Sequence, residues 1–300
     1  MRLLLPALVT AAVAALALGW LTRAPDPVGP GHPGPATRPV ASLAKMVPAS
    51  DCAPAGAWTD AAQANAASQG DLVWSLSGRD VLGWEIYAPL VGQEIASLCP
   101  ASSPGFAMAL ARWQTAKALP ATGRMDAASF QTMWFAMLRR RPFVQAMRTG
   151  CPPPAAPADL DLARPEETFG GRTTIMAARD ALQAYRTLLA AARAEAPAIR
   201  QDPLALKIVS GFRAPGADGT DCPAGQTCFN LTRASCSAHR TGRAFDLYLG
   251  AAPGRDPTST ADDNRLYQSR TLAYRWLVAH AASFGFLPYP YEPWHWEWAG

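Results

Sequence analysis

The chain has 300 residues, a formal net charge of +4, and 49% hydrophobic against 17% charged residues. That balance describes a globular protein long enough for one or two packed domains, and it excludes a disordered chain. Arg139-Arg140-Arg141 is the only basic run that stands out, so no nucleic acid is expected as a partner.

Met1-Arg2 opens an apolar run from Leu3 to Leu21 that is interrupted by Pro6 and Thr10. Residues 1–22 therefore read as a signal peptide or an amino-terminal anchor. The run matches the roughly 20 residues that cross a bilayer, so membrane anchoring is the alternative to cleavage. Ala15-Leu16-Ala17 supplies a small-x-small cleavage site. The expected location is outside the cytoplasm, in the periplasm or cell envelope.

Residues 23–50 carry Pro25, Pro27, Pro30, Pro33, Pro35 and Pro39 and read as an extended linker. Over residues 51–150 the pattern becomes helical. Phe106, Leu110 and Trp113 share one helical face, Leu119-Pro120-Ala121-Thr122-Gly123 breaks the helix, and Asp126 caps the next. A second Pro-rich linker covers residues 151–168, and a further domain covers 169–300.

Within that last domain, Thr174–Ala196 has amphipathic helical spacing, closed by Pro197. Leu206–Arg213 reads as a buried strand entering a Gly-containing turn. Phe245–Leu249 is β-prone and places Asp246 on a strand. Asn264–Phe284 reads as one helix, and Tyr289–Trp298 as a terminal aromatic strand. Helices packed on a small antiparallel sheet make the fold class α+β.

Six cysteines, Cys52, Cys99, Cys151, Cys222, Cys228 and Cys236, contain no Cys-x-x-Cys pair, so disulfides in an oxidising compartment are the better reading. Three lie up to Cys151 and three beyond it. Full pairing then requires at least one bond across the domain boundary, with Cys151 its candidate and Cys52–Cys99 closing within the first domain.

The chemistry gathers in two late runs, Ser237–Asp246 and Glu292-Pro293-Trp294-His295. His239, Asp246 and His295 supply two imidazoles and a carboxylate, a donor set suited to Zn2+ with one position open to water. A general base is also needed. Glu292 lies three residues before His295, which in a regular strand sets them on opposite faces, although a turn at Pro293 would bring them together. Strand parity favours Glu297 as the same-face partner of His295. His280, on a helix near apolar residues, reads as a structural histidine.

Two resemblances add to these readings. Phe106 to Gln114, with Leu119-Pro120 and Thr122 to Asp126, resembles the small helical peptidoglycan-binding repeat. Ser237-x-His239-x-x-Gly242-x-Ala244-x-Asp246 followed by Glu292-x-Trp294-His295 resembles the zinc D-alanyl-D-alanine carboxypeptidases of the VanY/VanX type, a family that includes peptidoglycan endopeptidases. Ser210-Gly211-Phe212-Arg213 resembles that family's Ser-Gly-Tyr-Arg segment, although Ala214-Pro215 and a Cys-containing insertion depart from its pattern. The resemblance implies a hedgehog-like zinc peptidase fold. It also implies metal ligation by His239, Asp246 and His295, and acid/base catalysis by Glu292. Arg213 would stabilise the substrate carbonyl or carboxylate, and Ser237 would help to bind substrate. The substrate would be peptidoglycan stem peptides, cut most readily between two terminal D-alanines. Endopeptidase action or non-catalytic binding of wall peptides are the alternatives.

Overall fold

A computed structural model describes residues 52–53, 56–216 and 236–300. The apolar leader, the first linker and the cysteines Cys222 and Cys228 lie outside the described residues. Among the described residues no helix is long and apolar enough to cross a membrane.

The amino-terminal half begins with α1 (Thr59–Asp71) and a hairpin of β1 (Val73–Leu76) and β2 (Arg79–Leu82). The helices α2 (Ala88–Glu94), α3 (Pro104–Ala116), α4 (Ala127–Arg140) and α5 (Pro142–Ala146) follow. Ser103 caps α3 and Asp126 caps α4, each side chain accepting a backbone N–H three residues on, as N-cap chemistry requires. The turn between them is held by two buried amides. Gln114 donates to the Arg124 carbonyl at 2.9 Å and accepts from Gly123 N at 2.8 Å, while Asn65 donates to the Gly123 carbonyl at 2.8 Å. Gly123 has φ +65°, and a Cβ there would lie 2.7 Å from both the Ala107 carbonyl and the Trp58 ring. The hairpin was not foreseen. Its Trp74 enters a cluster with Tyr87, Phe130 and Trp134, ring centroids 4.8–5.7 Å apart.

The residues read as a second linker are built into structure. β3 (Leu160–Leu162) pairs antiparallel with β4 (Met176–Ala178). Because β4 takes the first residues of the expected Thr174–Ala196 helix, α6 begins later, at Arg179, and runs to Glu195. The short α7 (Pro197–Gln201) leads to β5 (Ile208–Ser210) and then β6 (Ala244–Leu247). The expected Asn264–Phe284 helix is two helices, α8 (Asp262–Ser269) and α9 (Leu272–His280). Thr271 interrupts them because its hydroxyl caps α9 by accepting Tyr274 N. The chain ends in β7 (Phe286–Pro288) and β8 (His295–Trp298), so the fold is α+β.

The last four strands form one antiparallel sheet in the order β5-β6-β8-β7. On one face, Phe245 stacks on Tyr185 of α6 with centroids 5.8 Å apart, and Trp296 meets Tyr274 of α9. The opposite face carries Asp246, His295 and Glu297. The two halves share one continuous core. Polar ties also join them: Gln93 donates to the Val278 carbonyl, Arg265 to the Tyr87 hydroxyl, and Arg270 pairs with Glu85. Disulfides Cys52–Cys99 and Cys151–Cys236 are both present, the second crossing the expected boundary.

Candidate metal centre

Strand register builds the centre. Asp246 of β6 stands opposite His295 of β8, and Ser210 of β5 is registered with Asp246 on the other side. His239 arrives from a short 3-10 turn, Ala238–Thr241, that ends at Gly242 with φ +69°. A Cβ at Gly242 would lie 2.9 Å from Ala178 N, so only glycine suits both its conformation and its surroundings. Gly211 is constrained by space alone, since a Cβ there would meet the Met176 carbonyl at 2.3 Å.

Asp246 Oδ1 lies 3.2 Å from His239 Nε2 and 3.0 Å from His295 Nδ1. The two rings are 4.9 Å apart at 76°. All three side chains are buried, and their ligand atoms lie within 4.8 Å of one another, so this group can hold a metal ion. Ring orientations follow from the outer partners. His239 Nδ1 is 2.6 Å from the Gly211 carbonyl, and His295 Nε2 is 3.3 Å from Glu297 Oε1. Neither oxygen can donate, so those nitrogens carry protons and turn Nε2 of His239 and Nδ1 of His295 inward. Burial alone would raise the Asp246 carboxyl; the His239 and His295 imidazoles override it and hold it well below the usual carboxylate range.

The two candidate bases occupy different sides of His295. Tight turns give hydrogen bonds from Glu292 N to the Tyr289 carbonyl and from His295 N to the Glu292 carbonyl. They bring Glu292 Oε2 to 4.0 Å from His295 Nδ1, the nitrogen that faces Asp246. Its side chain is 28% exposed, so the centre opens to solvent there. Burial raises its pKa, with His295 opposing and Asp246 adding to the rise. Glu297 shares the face of His295, as parity indicates, but meets the outward nitrogen. It is 2% exposed and engaged by Arg141 and by Phe143 N. Burial would raise its carboxyl, yet Arg141 and His295 bring it down to about 2. The Glu292 carboxylate makes no hydrogen bond among the described residues, and its ion-pair contact is His295 Nδ1.

Arg213 is placed on the His239–Asp246 pair itself. Its Nη2 lies 2.6 Å from Asp246 Oδ2 and 3.2 Å from His239 Nε2, and its Nε donates to Ser210 Oγ. Nη1 has no partner among the described residues. Ser237 accepts His239 N at 3.2 Å and so caps the 3-10 turn, with its own proton free of a partner among the described residues. His280 stands apart, stacked on Trp276 and 3.8 Å from Glu195. Sequence reasoning missed Arg141 and Tyr289, whose ring lies 5.9 Å from that of His295. In the sequence Arg141 was only the last residue of the basic run Arg139-Arg140-Arg141. Compared with protein-family models, curated proteins and solved structures, the chain matches none.

Proposed function

We propose that this chain is an exported zinc peptidase that hydrolyses peptidoglycan stem peptides, with release of a terminal D-alanine as its principal reaction. The carrying observation is the pair of inward-turned imidazole nitrogens beside Asp246, with a half-buried carboxylate, Glu292, 4.0 Å from His295 Nδ1 on the same side. Two imidazoles and one carboxylate suit zinc and leave a position open. Zinc held there supplies Lewis acidity toward a carbonyl and lowers the pKa of water toward about 7.

In this reading Glu292 takes the proton of the attacking water as oxygen bonds to the carbonyl carbon. It then gives that proton to the amine as the C–N bond breaks. Its raised pKa suits both roles. Arg213 uses its Nη1 edge on the substrate while Asp246 holds the rest of the guanidinium in place. His239 and His295 keep their orientation through Gly211 and Glu297. The two disulfides support export to an oxidising compartment.

One observation favours endopeptidase action as the second reading. Nε and Nη2 of Arg213 are already engaged, and a grip through Nη1 serves a developing oxyanion as well as a terminal carboxylate. Incubating the protein with a pentapeptide stem and with a cross-linked dimer, read by mass spectrometry, separates the readings. Free D-alanine from the pentapeptide supports the first. Splitting of the dimer with the pentapeptide untouched supports the second. Binding of either without cleavage shows a wall-peptide binding protein.

A further inference from the structure

Arg141 lies between α4 and α5 and is followed by Pro142. A residue before proline avoids helical backbone, and Arg141 accordingly has φ −59° and ψ 129°. α4 therefore stops at Arg140, and the next side chain leaves the helix for the sheet. Arg141 is 7% exposed. Its Nε donates to Glu297 Oε1 at 2.8 Å, and its Nη2 reaches the same oxygen. Phe143 N, near the start of α5, donates to Oε2 at 2.9 Å. The guanidinium carbon also lies over Tyr289, 3.7 Å from the ring centroid, and that ring stands at 85° to His295, centroids 5.9 Å apart.

Glu297 is thus gripped by three N–H donors from one segment of the helical half, and His295 Nε2 bonds to the same carboxylate. At the other end of that segment Cys151 is bonded to Cys236, three residues before His239. Residues 141–151 therefore hold the centre beside both of its imidazoles.

We propose that Arg141 is a positioning residue of the metal centre: acting through Glu297, it fixes the His295 ring so that Nδ1 faces His239 and Asp246. The helical half then completes the centre as well as adjoining it. This inference rests on the reading of His239, Asp246 and His295 as metal ligands. A lysine would replace Arg141 only in part, because it lacks the planar guanidinium that reaches the carboxylate through two nitrogens.

The test uses the full chain with Arg141→Met, Arg141→Lys, Glu297→Gln, the Arg141→Met/Glu297→Gln double variant, and Arg140→Met as control. Arg140 pairs with Glu94 away from the centre. Zinc affinity is measured by chelator competition, the visible bands of the cobalt-substituted protein report ligand geometry, and circular dichroism reports folding. Loss of an outer partner of a metal-bound histidine typically weakens binding 10–100-fold. That loss, with altered cobalt bands, is expected for Arg141→Met. Arg141→Lys recovers part of it, and the double variant costs no more than Glu297→Gln alone. Arg140→Met matches wild type. If Arg141→Met does not fold, Arg141→Lys carries the comparison. Wild-type affinity with unchanged cobalt bands in the folded variant overturns the proposal. A wild-type chain that holds no zinc overturns the metal reading itself, a separate and recognisable outcome.

Discussion

The two halves of this molecule bury different things. The helical half closes around Trp74, Tyr87, Phe130 and Trp134, and its buried amides Asn65 and Gln114 are satisfied by one turn. The carboxy-terminal sheet buries an apolar face too, with Phe245 and Trp296, but its other face buries His239, Asp246, His295 and Glu297. Apolar burial stabilises by itself, at about 25 cal/mol per Å². Buried ionisable groups cost free energy unless paired, and a well-packed apolar substitute is often as stable. A concentration of them on one sheet face therefore points to chemistry there, and the helical half is the scaffold that pairs one of them.

The largest expected effect separates the two glutamates of the terminal hairpin. Glu292→Gln is expected to retain zinc while turnover falls 10²–10⁴-fold, the usual contribution of a general acid/base. Glu297→Gln, assayed at saturating zinc, is expected to cost far less turnover, because its carboxylate faces the outward nitrogen of His295. Steady-state kinetics with metal analysis on both variants checks this. Exchanged results would show that strand parity identifies the base better than the turn at Pro293.

The next effect falls on the other half. Phe130 is 1% exposed and packs against Trp74 and Tyr87. Phe130→Ala is expected to cost about 3–5 kcal/mol of stability through lost burial and the cavity left behind. Because the Phe130 side chain carries no polar group and packs within the helical half, zinc affinity of the folded protein should stay at the wild-type level. Denaturant unfolding and a zinc titration on the same sample decide it, and a matching loss of affinity would erase the distinction between scaffold and centre.

These contrasts were unequally legible in the sequence. The grouping of His239, Asp246 and His295 was visible because His239 and Asp246 lie close along the chain and His295 sits in a short distinctive run. Asp126 was visible as a cap because capping is local. The Cys151 crossing followed from cysteine parity, and the turn beside Glu292 from Pro293. The Arg141–Glu297 pair, 156 residues apart, leaves no local trace. Pro142 marks where the helix must end, but composition cannot say what the freed side chain then meets. The β3–β4 pairing was hidden for a similar reason. Three-residue strands lie below the length at which alternation can be read, and the Ala-rich run around Ala177 and Ala178 suits helix as well as strand. The α8–α9 break rests on a single threonine cap in an otherwise helical pattern.

The smallest expected effect is a pH dependence that only the charged face should show. Burial alone would pull the His295 pKa down, but hydrogen bonds to Asp246 and Glu297 override it and lift it to about 9 in the metal-free protein. The raised value sits above the unfolded reference near 6.5, so this histidine's contribution to stability is fully present below about pH 6.5 and is lost as pH rises through about 9. Metal binding needs the Nδ1 lone pair and must displace that proton. The proton-linked part of zinc affinity should therefore rise about tenfold per pH unit, or roughly 100-fold from pH 6 to pH 8, and level off near pH 9. Metal-free Tm should fall over the same interval, so the difference in Tm between zinc-loaded and chelated protein widens with pH. Phe130→Ala should shift both Tm curves down together and leave that difference unchanged. A difference in Tm that is flat from pH 6 to pH 9 would mean that His295 is already neutral without metal, and that Asp246 and Glu297 orient its ring without holding a second proton on it.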